Sequence, residues 1–348
     1  MSLIMCDVTS DTSCIHAQWT DPLRNLAPVR LHPVSEPEVN SILGPDQIRA
    51  CADQDPDERN RERTWALTRL ELWQPGAPDD TAVILEALLR QLPKQGQEIL
   101  LAEMAYLKAT GDWEDYPNAQ LRKLRNHLVD TLLQPVLVAG KTPPPEFATQ
   151  RWGTEADESA QSGLRAASLR RDGYRCCLTG DHDDCSTAED KRLSGSTCGV
   201  KVTRTRCAHI LPVALGKTHT DTGPEVGNKA AIWRTLHRYF PGLKGLGSAA
   251  TLIRPENALT LSVELHAAFE SFTMALQPMP TRNKYFVHWF PNYWWKGTQI
   301  LPIVTLQAHD SSVPLPEPEY FEAHFRIARI LHASKLIGGL SEAAGGSN

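Results

Sequence analysis

The sequence predicts an α+β chain, with a small helical region first and a domain of short strands and helices after it. Three observations predict this. Apolar residues recur at three- and four-residue spacing from Val83 to Leu133, as amphipathic helices require. Lys141-Thr-Pro-Pro-Pro145 is a stiff break. Beyond it, short apolar runs bounded by Gly, Pro, Asn and Asp alternate with brief helical stretches.

Residues 1–60 read as irregular, because Pro22, Pro28, Pro33, Pro37, Pro45 and Pro56 recur too often for a long helix. A helical module spans 61–140, its charged first helix running from about Asp57 to Glu71. Val83, Ile84, Ala87, Leu88 and Leu92 mark a second helix. Ile99, Leu100, Met104 and Leu107 mark a third, and Leu121, Leu124, Leu128, Leu132 and Leu133 a fourth. These stripes read as core packing, and the module as a brace or a site for a protein partner. Residues 141–162 read as a linker, 163–337 as the second domain and 338–348 as a disordered tail.

Within the second domain, Leu164 to Arg171 reads as a short helix and Tyr174 to Thr179 as a strand. Val200 to Ile210 ends in another strand, closed by Pro212. An insertion over 213–250 carries a helix near Asn228 to Tyr239. Ser262 is a fitting N-cap for a helix through Phe269. Phe272 to Leu276 and Tyr285 to Phe290 read as strands, and Tyr320 to Leu336 as a closing helix.

Composition limits the partners. The chain has 348 residues, 41% hydrophobic and 22% charged, with formal net charge -5. A protein that coats nucleic acid by bulk charge is basic, so contact with nucleic acid here must be local. Eight cysteines over this length do not make a disulfide scaffold. Met1 to Asp11 has no basic n-region or apolar run, and no segment has the length of a membrane span. The expectation is an intracellular protein, nuclear or cytoplasmic, with no membrane partner and with buried or free thiols.

Three separated pieces carry reactive groups. They are Arg171-Asp-Gly-Tyr-Arg-Cys-Cys-Leu-Thr-Gly180, Cys207-Ala-His-Ile-Leu-Pro212, and Asn257 through Glu270. His209 ends a strand and can accept a proton near neutrality. His266 and Glu270 lie four apart on one helix, so they share a face and can hold one divalent cation. Asn257 precedes that helix, where its amide can fix a loop.

The combination resembles the HNH endonuclease family, and in particular its fungal-type branch, over roughly 164–291. The matching residues are Arg171 to Cys176, Thr179-Gly180, Ala208 to Pro212 and Asn257 to Glu270. The resemblance implies a ββα-metal (HNH) finger with added strands and helices. It implies a hydrolase that cuts phosphodiester bonds of nucleic acid, DNA more than RNA, with one divalent ion (Mg, Mn or Zn). His209 would be the general base, Asn257 would position its loop, and His266 and Glu270 would hold the metal. Arg171, Arg175, Arg204 and Arg206 are expected to face nucleic acid.

Two departures are visible. Many members carry a ligand just before the base, where this chain has Ala208. That substitution also admits the alternative of an altered HNH fold, serving as a binding module or reused in a fungal secondary-metabolite pathway. A Cys-x-x-Cys knuckle is broken at Thr179, so a structural zinc from another subset of cysteines is the lesser reading.

Overall fold

A computed structural model describes residues 55–73, 79–110, 117–140, 155–186, 201–216, 221, 223–291 and 299–337. Residues 1–54 of the segment expected to be irregular, the Lys141 to Pro145 connector, Cys6, Cys14, Cys51 and Cys198, the aromatics Tyr293, Trp294 and Trp295, and the tail 338–348 lie outside these residues, whereas 56–60 of that segment are helical.

The helical region holds α1 (Pro56–Glu71), α2 (Thr81–Gln91), α3 (Lys94–Thr110) and α4 (Pro117–Leu128). A π-helical turn, Val129–Leu133, carries α4 into α5 (Gln134–Gly140). The expected stripes are mostly the buried faces: Ile84, Leu88, Leu92, Leu100, Met104, Leu124, Leu128 and Leu132 are all enclosed, while Val83 of the expected second stripe is exposed.

The helical region shares its core with the second domain. One hydrophobic cluster joins Ile84, Leu88, Leu100 and Leu132 to Leu236, Phe269, Phe321 and Ile327. Burying such faces against each other is the main gain available to amphipathic helices. Polar ties cross the same boundary. Glu103 is 2% exposed and accepts hydrogen bonds from Arg238 and Tyr239. Arg326 donates to the Gln91 carbonyl at 3.1 Å.

After the helical region come α6 (Glu155–Arg171), β1 (His182–Asp183), β2 (Val202–Thr203) and β3 (Thr205–His209). The chain continues through α7 (Pro224–Tyr239), α8 (Ala249–Leu252), β4 (Ala258–Ser262) and α9 (Val263–Glu270). It ends in β5 (Met274–Pro278), β6 (Lys284–Trp289), β7 (Ile303–Thr305) and α10 (Pro318–Ala333). β1 and β2 pair in parallel, β3 and β4 antiparallel, and β5, β6 and β7 form an antiparallel sheet on which α10 packs. Among the described residues no helix is long and apolar enough to cross a membrane.

Several expectations are corrected. Tyr174 to Thr179 is a tight turn and not a strand, because Cys176 N–H bonds the Asp181 carbonyl and Gly180 N–H bonds the Cys176 carbonyl, each at 2.9 Å. The strand that pairs with β3 is β4, directly before α9. All five of its residues are buried, so it shows no alternation. α6 begins at Glu155, inside the stretch expected to be linker. β7 has no counterpart among the expected strands.

Candidate active site

β3 and β4 are held in register from Thr205 opposite Ser262 to His209 opposite Ala258. α9 starts at the next residue, Val263, and Ser262 caps it by accepting from Leu265 N–H at 3.4 Å. Leu265 and Phe269 are wholly buried and anchor the helix in the core. Its other face carries His266 and Glu270, whose Nε2 and Oε1 atoms are 3.3 Å apart.

Strand alternation sorts the β3 side chains. Thr205 Oγ1 donates to Asp183 Oδ1 at 2.6 Å, and Cys207 Sγ lies 3.8 Å from Ser168 Oγ on α6. Arg206 and Ala208 therefore share the opposite face. The charges of Arg206 and of His209 both reach His266, and that of Arg206 reaches Glu270 as well, so both residues lie near the His266–Glu270 face of α9.

His266 is 4% exposed. Its ring donates to the Cys207 carbonyl. Nε2 is buried without a hydrogen-bond partner, so the donor is Nδ1. His209 Nε2 is likewise buried and unpartnered among the described residues. Burial lowers the pKa of both imidazoles to about 4, with the positive charges of Arg206 and His209 adding to the effect on His266. Both rings are neutral at pH 7. Burial pushes the Glu270 carboxyl up to about 8, against the pull of Arg206.

Asn257 is wholly buried just ahead of β4. Its Oδ1 accepts from Leu211 N–H at 2.8 Å, and its Nδ2 donates to the Leu211 and Leu252 carbonyls at 2.9 and 3.0 Å. Its own carbonyl accepts from Ile210 N–H at 2.9 Å. The two residues after His209 are thus tied to the residue before β4.

The arginines divide. Arg171 is corrected from an expected nucleic-acid contact to an internal one: its side chain is 0% exposed and paired to both oxygens of Asp172. It also donates to the carbonyls of Pro255, Ala258 and Pro314 at 2.8, 2.8 and 3.2 Å. Arg204 is exposed, while Arg175 and Arg206 are half-buried.

Among the described residues, only Asp183, Asp184 and Cys185 bring three ligand-type atoms within 4.8 Å of one another. Asp183 is already committed, accepting from Thr205 N–H and Oγ1 and from Ser186 Oγ. The donors of His209, His266 and Glu270 are spread more widely, and the 3.3 Å pair shows that the wider gap lies on the His209 side.

The residues that sequence reasoning missed act through main-chain atoms or from a distance. The Cys207 and Leu211 peptide groups have no sequence signature. No curated protein and no solved structure matches the chain. Residues 176–277 match the HNH endonuclease family, a span that contains His209, Asn257, His266 and Glu270.

Proposed function

We propose that β3, β4 and α9 form a ββα-metal finger that hydrolyses phosphodiester bonds of nucleic acid, DNA more than RNA, with one divalent ion. The observation that carries this reading is the His266–Glu270 pair, 3.3 Å apart on one face of α9, together with the buried Nε2 of His209, which has no hydrogen-bond partner among the described residues. A buried acceptor without a partner costs free energy unless something occupies it.

The donor set fits a divalent ion. His266 offers Nε2 while its Nδ1 is fixed on the Cys207 carbonyl, the support that metal-ligating histidines need. Glu270 adds a carboxylate whose ionised form is disfavoured until a cation adjoins it. When bound, the ion supplies Lewis-acid charge to the scissile phosphate and the leaving oxygen. Imidazole with carboxylate suits Mg, Mn or Zn.

His209 stands off from the His266–Glu270 pair, since the ligand atoms of the three do not all lie within 4.8 Å of one another. Its neutral Nε2 takes the proton of the attacking water. A pKa near 4 makes a weak base, and an approaching phosphate raises it by favouring the imidazolium. Asn257 holds Ile210 and Leu211 and so fixes the direction of the imidazole. Arg206 brings a positive charge to the face that receives the phosphate, and Arg175 and Arg204 follow the backbone on either side.

Purified protein with Mg²⁺, Mn²⁺ or Zn²⁺ is expected to nick supercoiled plasmid. His209→Ala is expected to lose nicking with its thermal transition unchanged. Full activity in that variant removes His209 from the mechanism, and no cleavage of DNA or RNA by the parent with any of the ions overturns the whole reading.

A further inference from the structure

The end of α9 that carries Glu270 is built in an unusual way. It closes with a Schellman motif: Thr273 N–H bonds the Ala268 carbonyl at 3.0 Å and Phe272 N–H bonds the Phe269 carbonyl at 3.1 Å. The left-handed residue of such a motif is usually glycine. Here it is Phe272, at φ 58 and 1% exposed. A bulky side chain in that conformation is strained, and surrounding structure has to hold it there.

Two histidines of α10 supply that structure. His324 is wholly enclosed and stacks on Phe269 at 4.0 Å and 7° and on Phe272 at 4.7 Å and 24°. Its Nε2 lies 3.1 Å from the Phe269 carbonyl, the same oxygen that accepts from Phe272 N–H. Eight residues on, His332 Nε2 lies 2.8 Å from the Phe272 carbonyl, and the ring stacks on Phe290 at 4.2 Å and 3°. From the other side, Gly140 at the end of α5 packs so closely that a Cβ there would meet the Glu270 carbonyl at 2.4 Å.

The turn Phe269–Phe272 is thus gripped at its first and last carbonyls by two histidine side chains of α10. We propose that His324, acting through Phe269 and the left-handed Phe272, is a positioning residue that sets the last turn of α9 and thereby places the Glu270 carboxylate against His266 Nε2. This rests on the reading of His266 and Glu270 as metal ligands. A helix end left to fray would swing Glu270 away from His266, which stands one turn earlier and is fixed by Cys207.

The test reads metal binding directly. His324→Phe keeps an aromatic ring in the stack and leaves the Phe269 carbonyl its bond from Phe272, but removes the donor. Mn²⁺ affinity is measured by electron paramagnetic resonance, and the Co²⁺ complex by its visible ligand-field bands. His324→Phe is expected to bind Mn²⁺ at least tenfold more weakly than the parent and to shift the Co²⁺ bands. His324→Gln, whose amide can donate where Nε2 does, is expected to recover part of the loss. Phe325→Leu, a core change on the same helix against β6, should lower stability and leave both metal signals in place.

Unchanged affinity and bands in His324→Phe, or an equal loss in Phe325→Leu, overturns the positioning role and leaves the metal ligands standing. A parent that binds neither ion overturns the ligand assignment itself, and the positioning role with it. Should His324→Phe fail to fold, Phe272→Leu removes the other half of the stack and is judged by the same criteria.

Discussion

Asn257 grips Leu211 by both main-chain groups, accepting its N–H at 2.8 Å and donating to its carbonyl at 2.9 Å. The amide continues the β3–β4 pairing past His209, where a backbone ladder would otherwise stop. Asn257→Ala leaves buried groups of Leu211 without partners and should cost about 2–4 kcal/mol in urea denaturation. Asn257→Asp keeps the acceptor and loses the donor. With a carboxyl group set against the Leu211 and Leu252 carbonyls in a wholly buried place, it is expected to lower stability at pH 7 at least as much as Asn257→Ala does, and nicking with it.

Glu270 should give the site a pH signature. In the unfolded chain it ionises near 4.5, and in the fold at about 8. Between these values the fold holds a proton that the unfolded chain has lost, so stability falls as pH rises. His209 and His266 act in the opposite sense. Their pKa values are lowered from 6.5 to about 4, so stability is lost as pH falls below 6.5. The metal-free site therefore favours a stability maximum near pH 6.5. Glu270→Gln removes the alkaline loss, on the order of 2–4 kcal/mol. Thermal melts above pH 8 without metal should show the variant more stable than the parent. Added Mn²⁺ should then stabilise only the parent.

Ala208 offers a gain-of-function test. It is wholly buried in β3, opposite Leu259 and directly before His209. Ala208→Asp puts a second carboxylate, and a third candidate ligand, directly before His209, where the resemblance to HNH endonucleases leads one to expect a ligand. Without metal, a buried unpaired charge should destabilise the variant by about 1–3 kcal/mol. With Mn²⁺ the order should reverse, with affinity at least tenfold above the parent by titration calorimetry. Equal affinity would show that residue 208 does not face the ion.

Two arginines should behave in contrasting ways. Arg171→Lys loses the fork that spans Asp172 and three carbonyls, and should cost on the order of 3–5 kcal/mol in denaturant unfolding. The folded fraction should bind DNA as before. Arg204→Ala is expected to leave the unfolding midpoint alone. It should weaken DNA binding uniformly across sequences and flatten the salt dependence by about one unit of slope.

The long helices of the helical region and α7 and α10 are legible in the sequence because their buried faces repeat at helical spacing, and α9 because Ser262 and the His266–Glu270 pair mark its start and face. The four-residue α8 and the first turns of α6 carry no such repeat. β4 is not legible, since burial on both sides erases the alternation that identifies a strand. The Tyr174 to Thr179 turn reads as a strand because Tyr, Cys and Leu suit strands, and nothing local announces the bonds from Cys176 and Gly180. Arg171 reads as a surface residue because its partners are carbonyls up to 143 residues away. Side-chain types suggest the chemistry of His209, Asn257, His266 and Glu270. The carbonyl of Cys207 and the grip of His324 become visible only in three dimensions.

The close approach of Gly140 to the Glu270 carbonyl bears on how such a chain can be rearranged. The matched stretch, 176–277, stops short of α6 with its Arg171, of α10 with its His324, and of the helices that end at Gly140. Cut out and grafted elsewhere, it would carry every group proposed to react and leave behind much of what keeps them in place. The unit that can be recognised across proteins is smaller here than the unit that can be inherited or transplanted intact. A working graft must take the helical region with it.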